Sequence, residues 1–328
     1  MDLVALAQKA SALCPMDTSP VEGRVLLIDG DALAYYCAGN DDTSIEQARI
    51  NVKERVSTAA KAACAEEVFI LVTMPGSPKG DRYAIARCEP YQGQRTGSNR
   101  PKNWEYIRQM LNSTAIDYAS GKAVVWHENY FEADDIFKRM HDTYGPENIV
   151  ILTQDKDMRM IPGLHMDWQD YSMFRLGADV WHAEHNGKVY GRSWFWHQMM
   201  HGDDADNIPG IPWYTDGSVY KSGPKRGQIK HIPVGKKAAI LERIPEIGDD
   251  TRMCEFLLPL YQSCYADYFL ALCAMLEQGI LLWLRSDPNK FDVAAPGNPL
   301  EELTTIPEWP AIANEFNARA AEVVYAQA

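Results

Sequence analysis

The chain is short of several things, and each shortage excludes a class of protein. It has no C-x-x-C pair, and its seven cysteines are scattered over 328 residues. An odd, dispersed set builds neither a disulfide framework nor a structural zinc site, and it fits a reducing cytoplasm. Positive charge is in deficit: 32 Lys+Arg face 45 Asp+Glu, for a formal net charge of −13. Nucleic-acid binding through bulk positive charge is excluded, whereas local basic patches and acids gathered around metal ions are not. Long apolar runs are also missing. The most apolar stretch, Tyr268 to Leu284, is broken by Glu277, Gln278 and Gly279, so it reads as a buried helix, with no membrane partner expected. The first residues, MDLVALAQKASALCP, have no basic leader and no long apolar core, so no signal peptide is expected. Internal repeats and low-complexity tracts are absent too. What is present is an ordinary globular balance, 46% hydrophobic and 23% charged, long enough for one large domain or a core with a smaller lobe.

Residues 1–20 read as a short amphipathic helix followed by a Pro-bearing loop. Continuous apolar runs at Val25–Ile28, Val68–Val72 and Ile149–Leu152 suit strands buried on both faces, with a further strand near Ala123–Trp126. Helical patterns occupy 44–64 and 131–144. Strands alternating with helices predict an α/β fold with a mainly parallel central sheet flanked by helices. From about 190 the character turns helical. Ser193 can cap a helix over 194–201 that Gly202 ends. Residues 213–231 resemble an inserted hairpin or loop. Helices are expected over 235–243 and 250–284, and a Pro-rich tail from about Asp292 is expected to wrap the surface.

Acids gather at the ends of these elements. Asp29 follows the first strand, and Asp155 follows the fourth after Thr153-Gln154. In open α/β sheets ligands bind outside the carboxyl ends of the strands, so these acids share one edge. Taken singly, each is a turn residue or a helix cap. Taken with Glu132-Ala133-Asp134-Asp135, with Asp157, and with Gly202-Asp203-Asp204-Ala205-Asp206-Asn207, they form a crowd that repels itself unless protonated or bridged by cations. Hard oxygen donors with no Cys or His select Mg²⁺ or Mn²⁺ over zinc. Two such ions on the order of 4 Å apart serve phosphodiester cleavage. His197 and His201 are spaced for zinc, but no Glu stands in the H-E-x-x-H position.

The ordered set Leu26 to Asp31, Glu132 to Asp135 (EADD), Thr153 to Asp157 (TQDKD) and Gly202 to Pro212 (GDDADNIPGIP) resembles the 5′-nuclease family. That family includes flap endonucleases, the 5′-nuclease domain of bacterial DNA polymerase I and phage 5′→3′ exonucleases. Chain length and the Asp29-Gly30-Asp31 start are most similar to the phage enzymes. The resemblance implies a PIN-like 5′-nuclease core over 21–190 with an arch at about 75–108. It further implies a helical region over 191–328 carrying a helix–loop–helix DNA-binding hairpin at about 203–243, interrupted by the insertion at 213–231. It implies two metal ions. Asp29, Glu132, Asp134 and Asp135 would serve the first, with helical spacing setting Asp134 off from Glu132 and Asp135. Asp155, Asp157, Asp203 and Asp206 would serve the second, with Asp31 and Asp204 as local supporting groups.

Two positions depart from the family pattern. An Asp is expected at the end of the second strand, where Met74 follows Val72-Thr73; Asp81 is the candidate substitute. A Lys that contacts the scissile phosphate is replaced by Gln92 within Tyr91-Gln92-Gly93-Gln94-Arg95. Arg82, Arg87 or Arg95 could supply that charge, with Arg82 and Arg95 the catalytic candidates. Two basic windows would hold DNA. The arch contributes Arg87, Tyr91, Arg100 and Lys102. The second window contributes Lys225, Arg226, Lys230, Gly235, Lys236 and Lys237. By the resemblance alone, K⁺ could sit in the hairpin. The expected partner is duplex DNA with a single-stranded 5′ end, or an RNA–DNA hybrid. The implied activity is 5′→3′ exonuclease or flap endonuclease, in phage replication in the host cytoplasm. Two alternatives stand beside it. One is a non-catalytic or weakly active DNA-binding relative, suggested by Met74 and Gln92. The other is a phosphatase of the haloacid dehalogenase type with Asp29 as nucleophile, which leaves EADD without a role.

Overall fold

Successive residues of a strand point to opposite faces, and the first strand shows what covers each one. Val25 and Leu27 join one buried apolar cluster; Leu26 and Ile28 join another. A computed structural model describes residues 19–95, 100–285, 293–295 and 297–326. The helix expected within 1–20 falls on 1–18, outside the described residues. In chain order the described elements are β1 (Val25–Asp29), α1 (Gly30–Cys37), α2 (Ile45–Ala63), β2 (Glu67–Thr73), α3 (Arg82–Ile85), α4 (Trp104–Met110), β3 (Ala115–Tyr118), β4 (Gly121–Glu128), α5 (Ala133–Tyr144) and β5 (Ile149–Leu152). They continue with β6 (Gly163–Met166), β7 (Met173–Leu176), β8 (Ala183–His185), β9 (Lys188–Tyr190), α6 (Arg192–His201), β10 (Trp213–Tyr214), β11 (Ile232–Pro233), α7 (Ile244–Ile247), α8 (Asp250–Cys264), α9 (Tyr268–Leu282) and α10 (Trp309–Ala326).

Seven strands form the central sheet in the order β3-β4-β2-β1-β5-β6-β7. The pairs β1–β2, β1–β5, β2–β4 and β5–β6 are parallel, and only the edge strands β3 and β7 run antiparallel to their neighbours. The fold is therefore the expected α/β sheet with a helical C-terminal region. One face packs on α1, α2 and α4 through Leu33, Val52, Val56 and Ile107. The other packs on α5 and the C-terminal helices through Ile136, Phe137, Leu257 and Leu276. The chain leaves β1 toward β2 on one side and returns to β5 on the other. The sheet's switch point thus lies between β1 and β5, which is where a ligand crevice forms.

Three expectations change and one is made definite. The helix expected over 250–284 is two helices: Tyr265 is extended, and the Asp267 side chain accepts from Leu270 N to start α9. The helix expected over 235–243 is a turn at Gly235 followed by a 3₁₀ helix over Ala239–Arg243. Of the two forms expected for the insertion, hairpin or loop, it takes the hairpin, with Trp213 and Tyr214 paired to Pro233 and Ile232 and a bridge between Val219 and Ile229. The tail does not simply wrap the surface, because it ends in α10, which buries Ile312 and Phe316. Among the described residues no helix is long and apolar enough to cross a membrane.

Candidate metal centre

The switch point carries the acids. Asp29 ends β1 and caps α1: its Oδ1 accepts from the backbone N–H of Asp31 (2.9 Å) and Ala32 (3.0 Å). Beyond β5, Thr153 couples this residue to the next strand. Its hydroxyl donates to Asp29 Oδ2 (2.9 Å) and accepts from Asp155 N (2.9 Å). The Asp155 carboxylate in turn accepts from Asp157 N (2.8 Å). One hydroxyl and two turns therefore set Asp29, Asp155 and Asp157 in sequence across the crevice.

The GDDADNIPGIP segment closes the far side. Asp203 and Ile208 exchange backbone bonds of 2.7 and 2.9 Å, so the loop folds back on itself. Gly202 and Gly210 both have positive φ, and a Cβ on either would strike the other strand of this loop. Only glycine allows that approach. The result brings Asp157, Asp203 and Asp206 together with one carboxylate oxygen each, all within 4.8 Å of one another. Asp203 is fully buried, and Asp157 also accepts from the buried Gln198 of α6 (2.6 Å).

The first turn of α5 sorts its acids differently from the expectation. Asp135 turns into the core. It is 0% exposed, pairs bidentately with Arg82 (2.8 and 2.9 Å), and accepts from Arg285 N (2.9 Å). Its oxygens are committed to Arg82 and Arg285, at odds with the metal-ligand role expected for Asp135. Burial alone would raise the Asp135 carboxyl, but Arg82 outweighs it and holds it below the usual range. Asp134, set apart by helical spacing, instead lies within electrostatic reach of Asp155, Glu132, Asp29 and Asp157. Glu132 caps α5 and accepts from Tyr91 Oη (2.8 Å) and Lys79 Nζ (2.7 Å).

Other expected residues also move. Arg82 is only 2% exposed, and its donors go to Asp135, to Leu281 and Trp283 carbonyls, and to Lys79 O. Its guanidinium thus ties α5 to the C-terminal helices from inside the core. Tyr91 is buried, so it stacks on no base; its hydroxyl ties Glu132 to Asp206 (3.2 Å). Met74 follows β2 as expected and packs against the apolar cluster beneath α1, α2 and α4. Asp81, the candidate substitute, accepts from Tyr130 Oη. Gln92, however, sits inside the centre, donating to Asp206 (2.7 Å). Arg95 pairs with Asp206 (2.6 Å) and is half exposed. Asp31 pairs with Arg108 and Asp204 with Lys236, both at the margin. Arg87, Lys225, Arg226, Gly235, Lys236 and Lys237 are exposed, as are Arg100, stacked on Trp104, and Lys102; Lys230 is half-buried beside Tyr220. Gly235 does not begin a helix, so it offers no helix N-terminus to a phosphate.

Two cations escaped the sequence reading. Lys79 lies on Glu132, and Lys156 lies on Asp203 and Asp157. Lys156 stands inside TQDKD, so the motif itself contained that signal. Lys79 lies in a Pro/Gly loop with no motif around it.

The donor set fits hard divalent ions: every candidate ligand is a carboxylate, and the set is too crowded to stay ionised alone. Burial, then Asp31, pushes Asp29 up to about 7. Burial, then Asp155, raises Asp134 and Asp157 well above the ordinary carboxylate range, and burial raises Asp155. These shifts carry a stability sign. Below about pH 4 the carboxyls are protonated in both states. Above that the folded chain holds protons that the unfolded chain has lost, so stability falls as pH rises through the folded values. The metal-free protein should melt at a lower temperature at pH 8 than at pH 5. Adding Mg²⁺ or Mn²⁺ should raise the melting temperature most at pH 8, where ligands are free of protons. A melting temperature that rises from pH 5 to 8 in EDTA would contradict this electrostatic account.

No family model matches the chain, and no curated protein matches it. Solved structures do. A pseudo-enzyme–product complex of bacteriophage T5 flap endonuclease with DNA and metal ions is 15% identical, with a TM-score of 0.53 over 91% of this chain and 99% of that one. Zinc-bound T5 5′-exonuclease is 15% identical, with a TM-score of 0.54 over 90% and 99%. The T5 protein co-crystallised with metal ions is 16% identical, with a TM-score of 0.51 over 88% and 99%. The chain has the fold of these 5′-nucleases.

Proposed function

We propose that the protein is a metal-dependent 5′→3′ exonuclease that hydrolyses phosphodiester bonds of DNA, with 5′ flaps and RNA primers as related substrates. One observation carries this reading: Asp157, Asp203 and Asp206 gather at the switch point of a fold shared with 5′-nucleases, and Asp155 and Thr153 link them to Asp29. Asp29, Glu132 and Asp134 would hold one Mg²⁺ or Mn²⁺ ion, and Asp155, Asp157, Asp203 and Asp206 the other. Bound there, the ions supply Lewis acidity at the phosphoryl oxygens. In hydrolysis the water oxygen bonds to phosphorus, the bridging P–O bond breaks, and a water proton ends on the leaving oxygen. Arg95, exposed beside Asp206, would meet the strand at the margin of the cleft. A cytoplasmic role in phage replication belongs to the same reading.

The basic window that would grip the duplex adjoins the acids, because Lys236 bonds Asp204, the neighbour of Asp203 (2.6 Å). Replacing Lys236 and Lys237 by Ala should weaken duplex binding and lower the salt slope by about one unit per lost phosphate contact. An unchanged slope would remove this segment from the interface.

The non-catalytic reading has its own observation. Lys156 lies across Asp203 and Asp157, where it can neutralise the acids without a metal. The phosphatase reading has less support. Both Asp29 oxygens already accept hydrogen bonds, and the acidic loop follows helix α6, not a strand. The test is cleavage of 5′- and 3′-labelled duplex and flap substrates with Mg²⁺, Mn²⁺ or EDTA. Release of nucleotides or short oligonucleotides from 5′ ends with metal is expected. Normal duplex binding without cleavage would favour the non-catalytic protein. Hydrolysis of a generic phosphate ester with Asp29 phosphorylated would favour the phosphatase.

A further inference from the structure

The acid centre faces an anionic substrate and needs a cation that substrate can touch. Arg82 is buried and committed to Asp135. Lys156 is drawn to Asp203 on the far side. Gln92 has no charge, and Arg95, half exposed, is paired with Asp206 on the opposite acid group from Glu132. Lys79 differs from all four. Its ammonium donates to Gln92 Oε1 (2.7 Å) and Glu132 Oε1 (2.7 Å), lies 5.9 Å from the Tyr91 ring centroid, and has a side chain 17% exposed. An ammonium has three protons, and these bonds use two.

The backbone is arranged to put it there. Lys79, Gly80 and Asp81 all have positive φ, at 55°, 61° and 64°. Each non-glycine residue in that conformation is strained. The turn is held from outside. Ser77 Oγ accepts from Lys79 N (3.0 Å) and donates to Phe131 O (2.8 Å), while Gly80 N donates to Tyr130 O (2.7 Å). Arg82 Nη1 donates to Lys79 O (3.2 Å). A Cβ on Gly80 would meet the Phe131 ring. A strained turn fixed on both sides is a way to aim one side chain.

The geometry points to Lys79 as the cation that meets the scissile phosphodiester, with Gln92 as the positioning residue that holds its ammonium over the cleft. This rests on the nuclease reading above and names a residue that reading left open. The charge missing at position 92 is supplied from the loop after β2, thirteen residues earlier, and delivered to the side chain that replaced it. No bond is made or broken at Lys79; it stabilises negative charge on the non-bridging oxygens in a site largely closed to water.

The experiment compares the unaltered chain, Lys79→Gln, Gln92→Leu and the exchange variant Lys79→Gln/Gln92→Lys. Cleavage is measured with Mn²⁺, and binding of the same DNA is measured in EDTA over a salt series. Lys79→Gln should lower kcat by ~10²–10³ with a much smaller change in KM. In EDTA it should lower the salt slope by about one unit. The exchange variant should recover at least about tenfold of the lost kcat, because it returns an ammonium to the same place. Gln92→Leu should lower kcat while leaving the salt slope intact. If Lys79→Gln fails to fold, the Gln92→Leu result decides: an unchanged kcat overturns the assignment. A Lys79→Gln protein with unaltered kcat and slope overturns it as well. If the unaltered chain cleaves nothing, the nuclease reading falls separately. The slope then decides whether Lys79 contacts phosphate at all, and an unchanged slope overturns the contact.

Discussion

Asp203→Asn should bind a duplex with a single-stranded 5′ end as tightly as the unaltered chain, yet cleave it at least ~10³-fold more slowly. The estimate follows from several kcal/mol of transition-state stabilisation tied to a divalent ion, at 1.36 kcal/mol per tenfold. Asp203 is fully buried at the centre of the tightest carboxylate group, with Asp157 and Asp206 around it. Asn keeps its shape and can still accept from Ala205 N, which Asp203 now does at 2.8 Å. Binding is expected to survive because the basic residues lie elsewhere, at the arch and around Lys236. Asp155→Asn should behave alike, since Asp155 joins the two groups. Cleavage at the unaltered rate by either variant would refute the metal assignment; parallel loss of binding would refute the separation of binding from catalysis.

Arg82→Ala should lose stability before it loses anything else. The Arg82–Asp135 pair is buried on both sides and bidentate, at 2.8 and 2.9 Å. Removing one partner of such a pair strands the other charge, at a cost of about 3–5 kcal/mol. In a chain of this size that lowers Tm by roughly 10 °C. The same guanidinium also bonds the Leu281 and Trp283 carbonyls at the end of α9, so the junction between α5 and the C-terminal helices should loosen. Replacing both partners together with apolar residues, Arg82→Met with Asp135→Leu, should recover part of the loss. Thermal melts by circular dichroism check this. An Arg82→Ala protein that melts normally but does not cleave would return Arg82 to the catalytic role that its place in the arch suggested.

The contrast between Asp134 and Asp135 marks how far the sequence could be followed. Adjacent acids at a helix start announce a functional cluster or a favourable dipole, and EADD reads the same either way. Which of them faces the crevice is set by Arg82 and by the backbone of Arg285, the latter 150 residues further along the chain. Local spacing pairs Glu132 with Asp135 and sets Asp134 aside. Tertiary charge pairing takes Asp135 into the core and leaves Asp134 with Asp29 and Asp155. Lys79 was hidden for a related reason: a lysine in a Pro/Gly loop looks solvated until a left-handed turn directs it inward. The break between α8 and α9 was hidden because apolar periodicity continues across it, although the capping Asp267 was there to be read.

The sequence by itself determined the parallel sheet, through apolar runs long enough to be buried on both faces, and the acid edge, through carboxylates placed just past strand ends. Both signals are local, since a strand's burial and the residue after it are written in consecutive positions. Tertiary structure alone decided which acids stay in the crevice, which arginine became part of the frame, and which lysine reaches the substrate side. Those outcomes depend on opposite charges meeting across long stretches of chain in a dry interior. There, pairing one carboxylate and leaving the next exposed to its own kind differ by several kcal/mol, on the order of a buried ion pair.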